Sequence, residues 1–264
     1  MECDIIMGGR GASAGLKGGA NSAQQTTQSP QKIQLQPQIQ KTAKSINNIA
    51  DLRTYAKQNL GLELGKSLDT VDYGLVQQAV SDYEFFKREF PQWDGTLQKI
   101  QARQTRPGVN AETNGTTVTL SQQQYSNPGK FAQVVSAAAS RHYYPENTTN
   151  KTTAVHEIGH TFEQAMINKI MPDNGTWLRK YDRVEAWNKG IYSGKIISEA
   201  AASAKKTPGG KGKKKADLIA DVSQYATKRS SETLAECVRD YYINRGNAKP
   251  LSVEVWKILK REFG

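Results

Sequence analysis

Two of the chain's three histidines stand four residues apart in Thr153-Ala154-Val155-His156-Glu157-Ile158-Gly159-His160-Thr161-Phe162. On an α-helix, four residues turn through about 400°, so His156 and His160 share a face and can address one ion. Val155, Ile158, Phe162, Ala165 and Met166 take the other side and must face a core. Two neutral imidazoles suit zinc. Glu157, next to the first of them, is placed to take a proton from a water that such an ion activates. The plain alternative is two histidines on an ordinary helix.

The rest of the 264 residues bound the fold. Only 37% are hydrophobic, and 36 Lys+Arg against 25 Asp+Glu leave a net charge of +11. Residues 1–45 read as a disordered tail or linker: a Gly/Ala/Ser stretch begins at Gly8, and eight Gln fall between Gln24 and Gln40. The alternation at 32–36 would suit an edge strand, but Pro37 interrupts it. A second polar stretch, 203–216, reads as a solvated loop, with six lysines between Lys205 and Lys215. It lacks interleaved aromatics, so contact with nucleic acid or an anionic surface has no support beyond charge. There is no run of apolar residues long enough to span a bilayer and no signal-peptide pattern at the start. Two cysteines, Cys3 and Cys237, make no disulfide scaffold and fit a reducing compartment.

Residues 46–264 carry the folded body, with 46–110 expected to be helical. Ile46, Ile49, Leu52, Tyr55 and Ala56 form one stripe, and Tyr73 to Phe90 a second helix stopped by Pro91. Further helices are expected around 130–140, 153–171, 176–189, 216–226, 230–244 and 252–262. The β-branched run from Gly115 to Leu120 follows the turn dipeptide Asn114-Gly115 and is the clearest strand. The predicted class is α+β: mostly helical, with a small sheet beside the metal-binding helix. Trp177, Tyr181, Val184 and Trp187 fall at helical spacing and read as core. His142 either lines a cleft or is structural. Cys237 lies on an apolar helix face and reads as inert.

His156, Glu157 and His160 make the H-E-x-x-H pattern of zinc metalloproteases. A catalytic zinc needs a third protein ligand and an open position. Positions 163 and 166 are Glu and Met, so a third histidine on the same helix is excluded and a carboxylate on a later helix is required. In Ser230 to Tyr242, Glu232, Glu236, Arg239 and Asp240 share a face opposite Leu234, Val238, Tyr241 and Tyr242. Alone, such a stripe reads as a solvated face. Beside an H-E-x-x-H helix, Glu232 becomes the candidate ligand, and Glu236 the acceptor for the other N–H of a liganding histidine.

The stretch from Ser223 to Glu236 resembles the C-terminal signature of the lethal-factor-like gluzincins, and the likeness covers His156 to about Lys260. In that family a tyrosine seven residues before the liganding glutamate leans over the zinc, and an Ala-Glu pair follows the ligand. Tyr225, Glu232 and Ala235-Glu236 have that spacing. Leu234 stands where an aromatic is common. The resemblance implies a zincin-like fold and a zinc endopeptidase. Zinc would be held by His156, His160 and Glu232, with Glu157 as general base and Tyr225 as hydrogen-bond donor to the oxyanion. It also implies a peptide or protein substrate laid along a sheet edge, for which Thr116 to Leu120 is the candidate sheet segment. Many members look like domains of phage minor head proteins or of toxin-like proteins from mobile elements, so virion proteins are candidate partners. The alternatives are a toxin-type protease effector delivered to another cell and a catalytically silent, zinc-stabilised virion structural protein.

Overall fold

Local chemistry sets the element boundaries. In chain order the helices are α1 (Ile49–Tyr55), α2 (Tyr73–Glu89), α3 (Gln122–Tyr125), α4 (Pro128–Ser140), α5 (Thr153–Ile170), α6 (Trp177–Lys189), α7 (Ile191–Ala204), α8 (Lys215–Val222), α9 (Ser230–Asn244) and α10 (Pro250–Phe263). The strands are β1 (Glu63–Leu64), β2 (Lys99–Arg103), β3 (Ala111–Thr113) and β4 (Thr117–Ser121). The computed structural model of the chain describes residues 42–93 and 95–264. What was expected of residues 1–41, including the alternation at 32–36, lies outside them. Caps account for several starts: Asn48, Asp72, Asn127 and Thr176 each accept from a backbone N–H in the first turn of the helix that follows.

Two boundaries differ from expectation. The folded body extends upstream of residue 46: Ala43 is buried in a short 3₁₀ turn and its N–H donates to Glu84 Oε2 at 3.0 Å. The 46–110 region is not purely helical, because it supplies β1 and β2. These strands are short, and their character comes from pairing rather than local propensity.

The sheet has the order β1-β2-β4-β3. β1, β2 and β4 run parallel, and β3 closes one end antiparallel to β4, with Thr113 opposite Val118. The β3–β4 turn is built by Asn114, whose Oδ1 accepts from Thr117 N–H at 2.8 Å, and by Gly115 at φ +92°. A Cβ on Gly115 would stand 3.0 Å or less from Gln164 and Trp187. The turn therefore presses against α5 and α6, and β3 lies along the metal-motif helix.

On its far side, α5 is anchored by aromatics. Phe162 packs edge-on to Phe90 (5.0 Å between centroids) and stacks on Trp93 (5.4 Å), whose Nε1 donates to Thr161 Oγ1 at 3.0 Å. These contacts fix the rotation of α5 and aim His156 and His160 the opposite way.

Two helices behave differently from their pattern. α7 had no counterpart in the expected elements, although Tyr192, Ile196, Ala200 and Ala204 recur every fourth residue and are all buried. Its alanine-rich stripe carries little hydrophobic contrast. Conversely, the α6 stripe expected as core is exposed: Trp177 is 77% exposed, Tyr181 54% and Val184 51%, while Trp187 is half-buried. Periodicity identifies residues that share a face but not whether another element covers it. The lysine-rich segment is a loop between α7 and α8, slightly shorter than expected because both helices extend into 203–216. No helix among the described residues is long and apolar enough to cross a membrane.

Candidate metal centre

The donors converge where α5 crosses α9. That crossing is unusually close: a Cβ on Gly159 would stand 2.8 Å from Ala235 Cα and 3.2 Å from its carbonyl oxygen. Gly159 lies between the two histidines, and Ala235 between Glu232 and Glu236. The contact of two small residues thus sets how near the two sets of ligands can come.

His156, His160 and Glu232 are all buried, and one donor atom from each lies within 4.8 Å of the others. His156 Nε2 is 3.0 Å from His160 Nε2 and 3.1 Å from Glu232 Oε2, and the third side of the triangle is 3.3 Å. Ligand atoms about 2.1 Å from a tetrahedral ion stand roughly 3.4 Å apart, so the triangle fits zinc to within a few tenths of an ångström. His156 Nδ1 lies 2.6 Å from Glu236 Oε1. In the neutral ring that contact takes the N–H and leaves the Nε2 lone pair facing His160 and Glu232. Three convergent lone pairs call for a cation.

Glu236 is itself held at both oxygens. Ser223 Oγ donates to Oε2 at 2.9 Å, and Arg239 donates to Oε1. Glu232 turns Oε2 toward the histidines, while Oε1 accepts from Arg229 at 3.0–3.1 Å. The charged face of α9 is thus not solvated: Glu232, Glu236, Arg239 and Asp240 are all buried.

Compared with protein-family profiles, curated proteins and solved structures, the chain matches none. The centre's chemistry rests on its own geometry.

A cleft of about 240 Å³ opens beside the donors, lined by all three of them together with Glu157, Tyr225 and β3. Burial pushes the Glu157 carboxyl above its ordinary range, although both histidines pull it down. The Tyr225 ring is 5.5 Å from that of His156, and its hydroxyl is raised by burial and by the negative charge of Glu232 and Glu157. α8 stops at Val222 rather than running on to 226. Ser223 is extended there and its Oγ accepts from Ala226 N–H. This break puts Tyr225 on a 3₁₀ turn over the site. The sheet edge beside the cleft is β3, because β4, which holds most of the 116–120 segment, is an inner strand.

His142 does not line this cleft; its Nε2 is 3.0 Å from the Ala220 carbonyl. Cys237 is buried, and burial raises its thiol well above the ordinary value, which leaves it inert. Sequence reasoning missed Ser223, Arg229 and Glu163. The Glu163 carboxylate accepts from Tyr192 N–H at 3.0 Å and from both the N–H and hydroxyl of Ser193, capping α7. Arg229 is only three residues from Glu232, but no local signal marks the distant partners of Ser223 and Glu163.

Without metal, His156 carries the balancing charge. Burial opposes its protonation, but Glu232 and Glu236 outweigh burial and raise the ring to about 9. A raised histidine pKa contributes stability that is complete below about 6.5 and lost as pH rises through about 9. Glu232 and Glu236 are lowered, so their contribution is complete above about 4.5 and lost in acid. Metal-free protein is therefore expected to melt highest between about pH 4.5 and 6.5 and to lose up to about 3 kcal/mol by pH 10. Calorimetry across that range checks this, and saturating zinc is expected to remove the alkaline decline. A flat metal-free profile would show that His156 is not protonated there.

Proposed function

We propose that the chain is a zinc-dependent peptidase of zincin type, hydrolysing peptide bonds in the cleft between β3 and the His156–His160–Glu232 donor set. The observation that carries this reading is the convergence of three buried donors with a second carboxylate, Glu157, beside them in the same cleft and outside the donor triangle. A purely structural zinc has four protein ligands and no use for a base.

Zinc bound there supplies Lewis acidity, which acidifies water and polarises a carbonyl. The protein supplies the rest. Glu157 takes the proton of the attacking water and returns it to the leaving amine, a task suited to a carboxyl lifted by burial. Tyr225 keeps its proton, because its hydroxyl is raised, and donates a hydrogen bond to the developing oxyanion. Glu236 holds the His156 tautomer, and Arg239 and Ser223 hold Glu236. β3, as the end strand, offers backbone pairing to an extended substrate.

The test is zinc stoichiometry together with cleavage of a mixed peptide library. About one zinc per chain is expected, with cleavage lost on chelation and restored by zinc. Absence of zinc would refute the site; full zinc with no cleavage of any peptide or protein pool would refute the peptidase. Glu232→Ala should abolish zinc binding. Glu236→Gln, which keeps the side chain's size beside buried Arg239, should weaken zinc by about 10–100-fold. Equal zinc affinity in these two variants would move the third ligand elsewhere.

A further inference from the structure

A second cavity, of about 280 Å³, adjoins the metal cleft and shares Val109, Ala111, His156, Glu157 and Tyr225 with it. Its remaining polar wall is Lys228, Arg239, Tyr143, Tyr144, Asn110 and Thr153. The two halves differ in charge. Beside the donors, the first cavity is lined by Glu112, Glu157, Glu163 and Glu232 against Arg106 and Arg229, and Arg229 is engaged by Glu232. In the second, Glu157 is the single acid and Lys228 and Arg239 are the cations.

Lys228 is held without being neutralised. Its Nζ donates to the Tyr143 hydroxyl at 3.0 Å and sits 4.2 Å from the Tyr225 ring centroid and 5.5 Å from that of Tyr143. Among the described residues it has no carboxylate partner. Arg239 stacks on Tyr144, 4.5 Å from the ring centroid. It gives one Nη to Glu236, and its buried Nε has no partner. The Tyr143 and Tyr144 hydroxyls accept from Lys228 and from Asn110, at 3.0 and 3.2 Å, so each retains its own proton to donate. The wall therefore offers donors and positive charge.

Resting on the peptidase reading, we propose that this cavity is a carboxylate-binding subsite next to the scissile bond, with Lys228 as its specificity-determining cation. The enzyme then selects substrates with an acidic group at one of the two positions flanking the cleaved bond. The carboxylate is either an Asp or Glu side chain or the terminus of the substrate chain. Both present the same chemistry to Lys228 and the two hydroxyls.

Binding of peptide hydroxamates to the zinc-loaded full-length protein tests this without requiring turnover. The set carries Glu or Gln on either side of the hydroxamate with a blocked terminus, plus a Gln ligand ending in a free carboxylate. On one side, the carboxylate ligand is expected to bind about tenfold tighter than its neutral match, and less so at high salt. Lys228→Met should erase that preference, so that each acidic ligand binds the variant no tighter than its neutral match. A preference for the blocked Glu ligand assigns the subsite to side chains, and one confined to the free terminus assigns it to chain ends. Equal binding of all ligands, or a preference that survives Lys228→Met, overturns the subsite and leaves the peptidase standing. Failure of every hydroxamate to bind zinc-loaded protein overturns both.

Discussion

Glu157→Gln is expected to lower peptide cleavage by about 10²–10⁴-fold while leaving about one zinc bound per chain. Glutamine keeps the shape of the side chain but cannot take a proton from water. The carboxyl it replaces stands outside the donor set of His156, His160 and Glu232, so the metal should stay. Burial adds a second consequence. The Glu157 carboxyl is raised from its ordinary value, so it becomes a base only at higher pH than a solvated glutamate would. The acidic limb of the wild-type pH–rate profile should accordingly sit above about 4.5, and what little activity the variant keeps should lack that limb. Steady-state kinetics with metal analysis on the same samples checks both points. Near-wild-type turnover would remove Glu157 from the chemistry, and loss of zinc would place its carboxylate among the ligands.

Gly159→Ala is expected to lower zinc affinity by at least about 100-fold, although the substitution adds no group near the metal. Two effects compete. Alanine gains about 1 kcal/mol over glycine in a helix interior. Against this, the new Cβ would stand 2.8 Å from Ala235 Cα and 3.2 Å from its carbonyl oxygen, and overpacking of this kind costs about 1–3 kcal/mol. The fold can relieve the clash by moving α5 off α9, which keeps most of the stability. That movement separates the two histidines from Glu232, and His156 from Glu236, so the metal bears the loss. Adding Ala235→Gly should restore little, because the closest approach is to backbone that glycine also has. Zinc titration and thermal melts of the three proteins check this. Wild-type zinc affinity in Gly159→Ala would mean that the crossing tolerates the methyl and does not set the site.

Some of this architecture was legible in one dimension because the relevant interactions are local. The spacing of His156 and His160, the stop at Pro91 and the turn at Asn114-Gly115 all act within a few residues. The helices at 73–89, 153–170, 230–244 and 250–263 fell close to expectation for the same reason. The stripes of α6 and α9 mark where this ends. Trp177, Tyr181 and Val184 have the spacing of a core and are exposed, while Glu232, Glu236, Arg239 and Asp240 have the composition of a solvated face and are buried. Which neighbour covers a face is a long-range fact. The buried carboxylates are tolerable because Arg229 and Arg239 meet Glu232 and Glu236 from three residues away, while His156 and Ser223 reach Glu236 from other elements.

The chain by itself determined that one helix carries two histidines on one face with a glutamate beside the first, that a downstream helix carries two candidate carboxylates, and that the class is α+β. Only the tertiary structure decided how they meet. The Gly159–Ala235 crossing brings the donors to 3.0–3.3 Å, the end strand β3 lines the cleft, and Lys228 sits in an aromatic cradle beside it. Donor type is a property of residues, whereas distance, burial and charge balance are properties of packing.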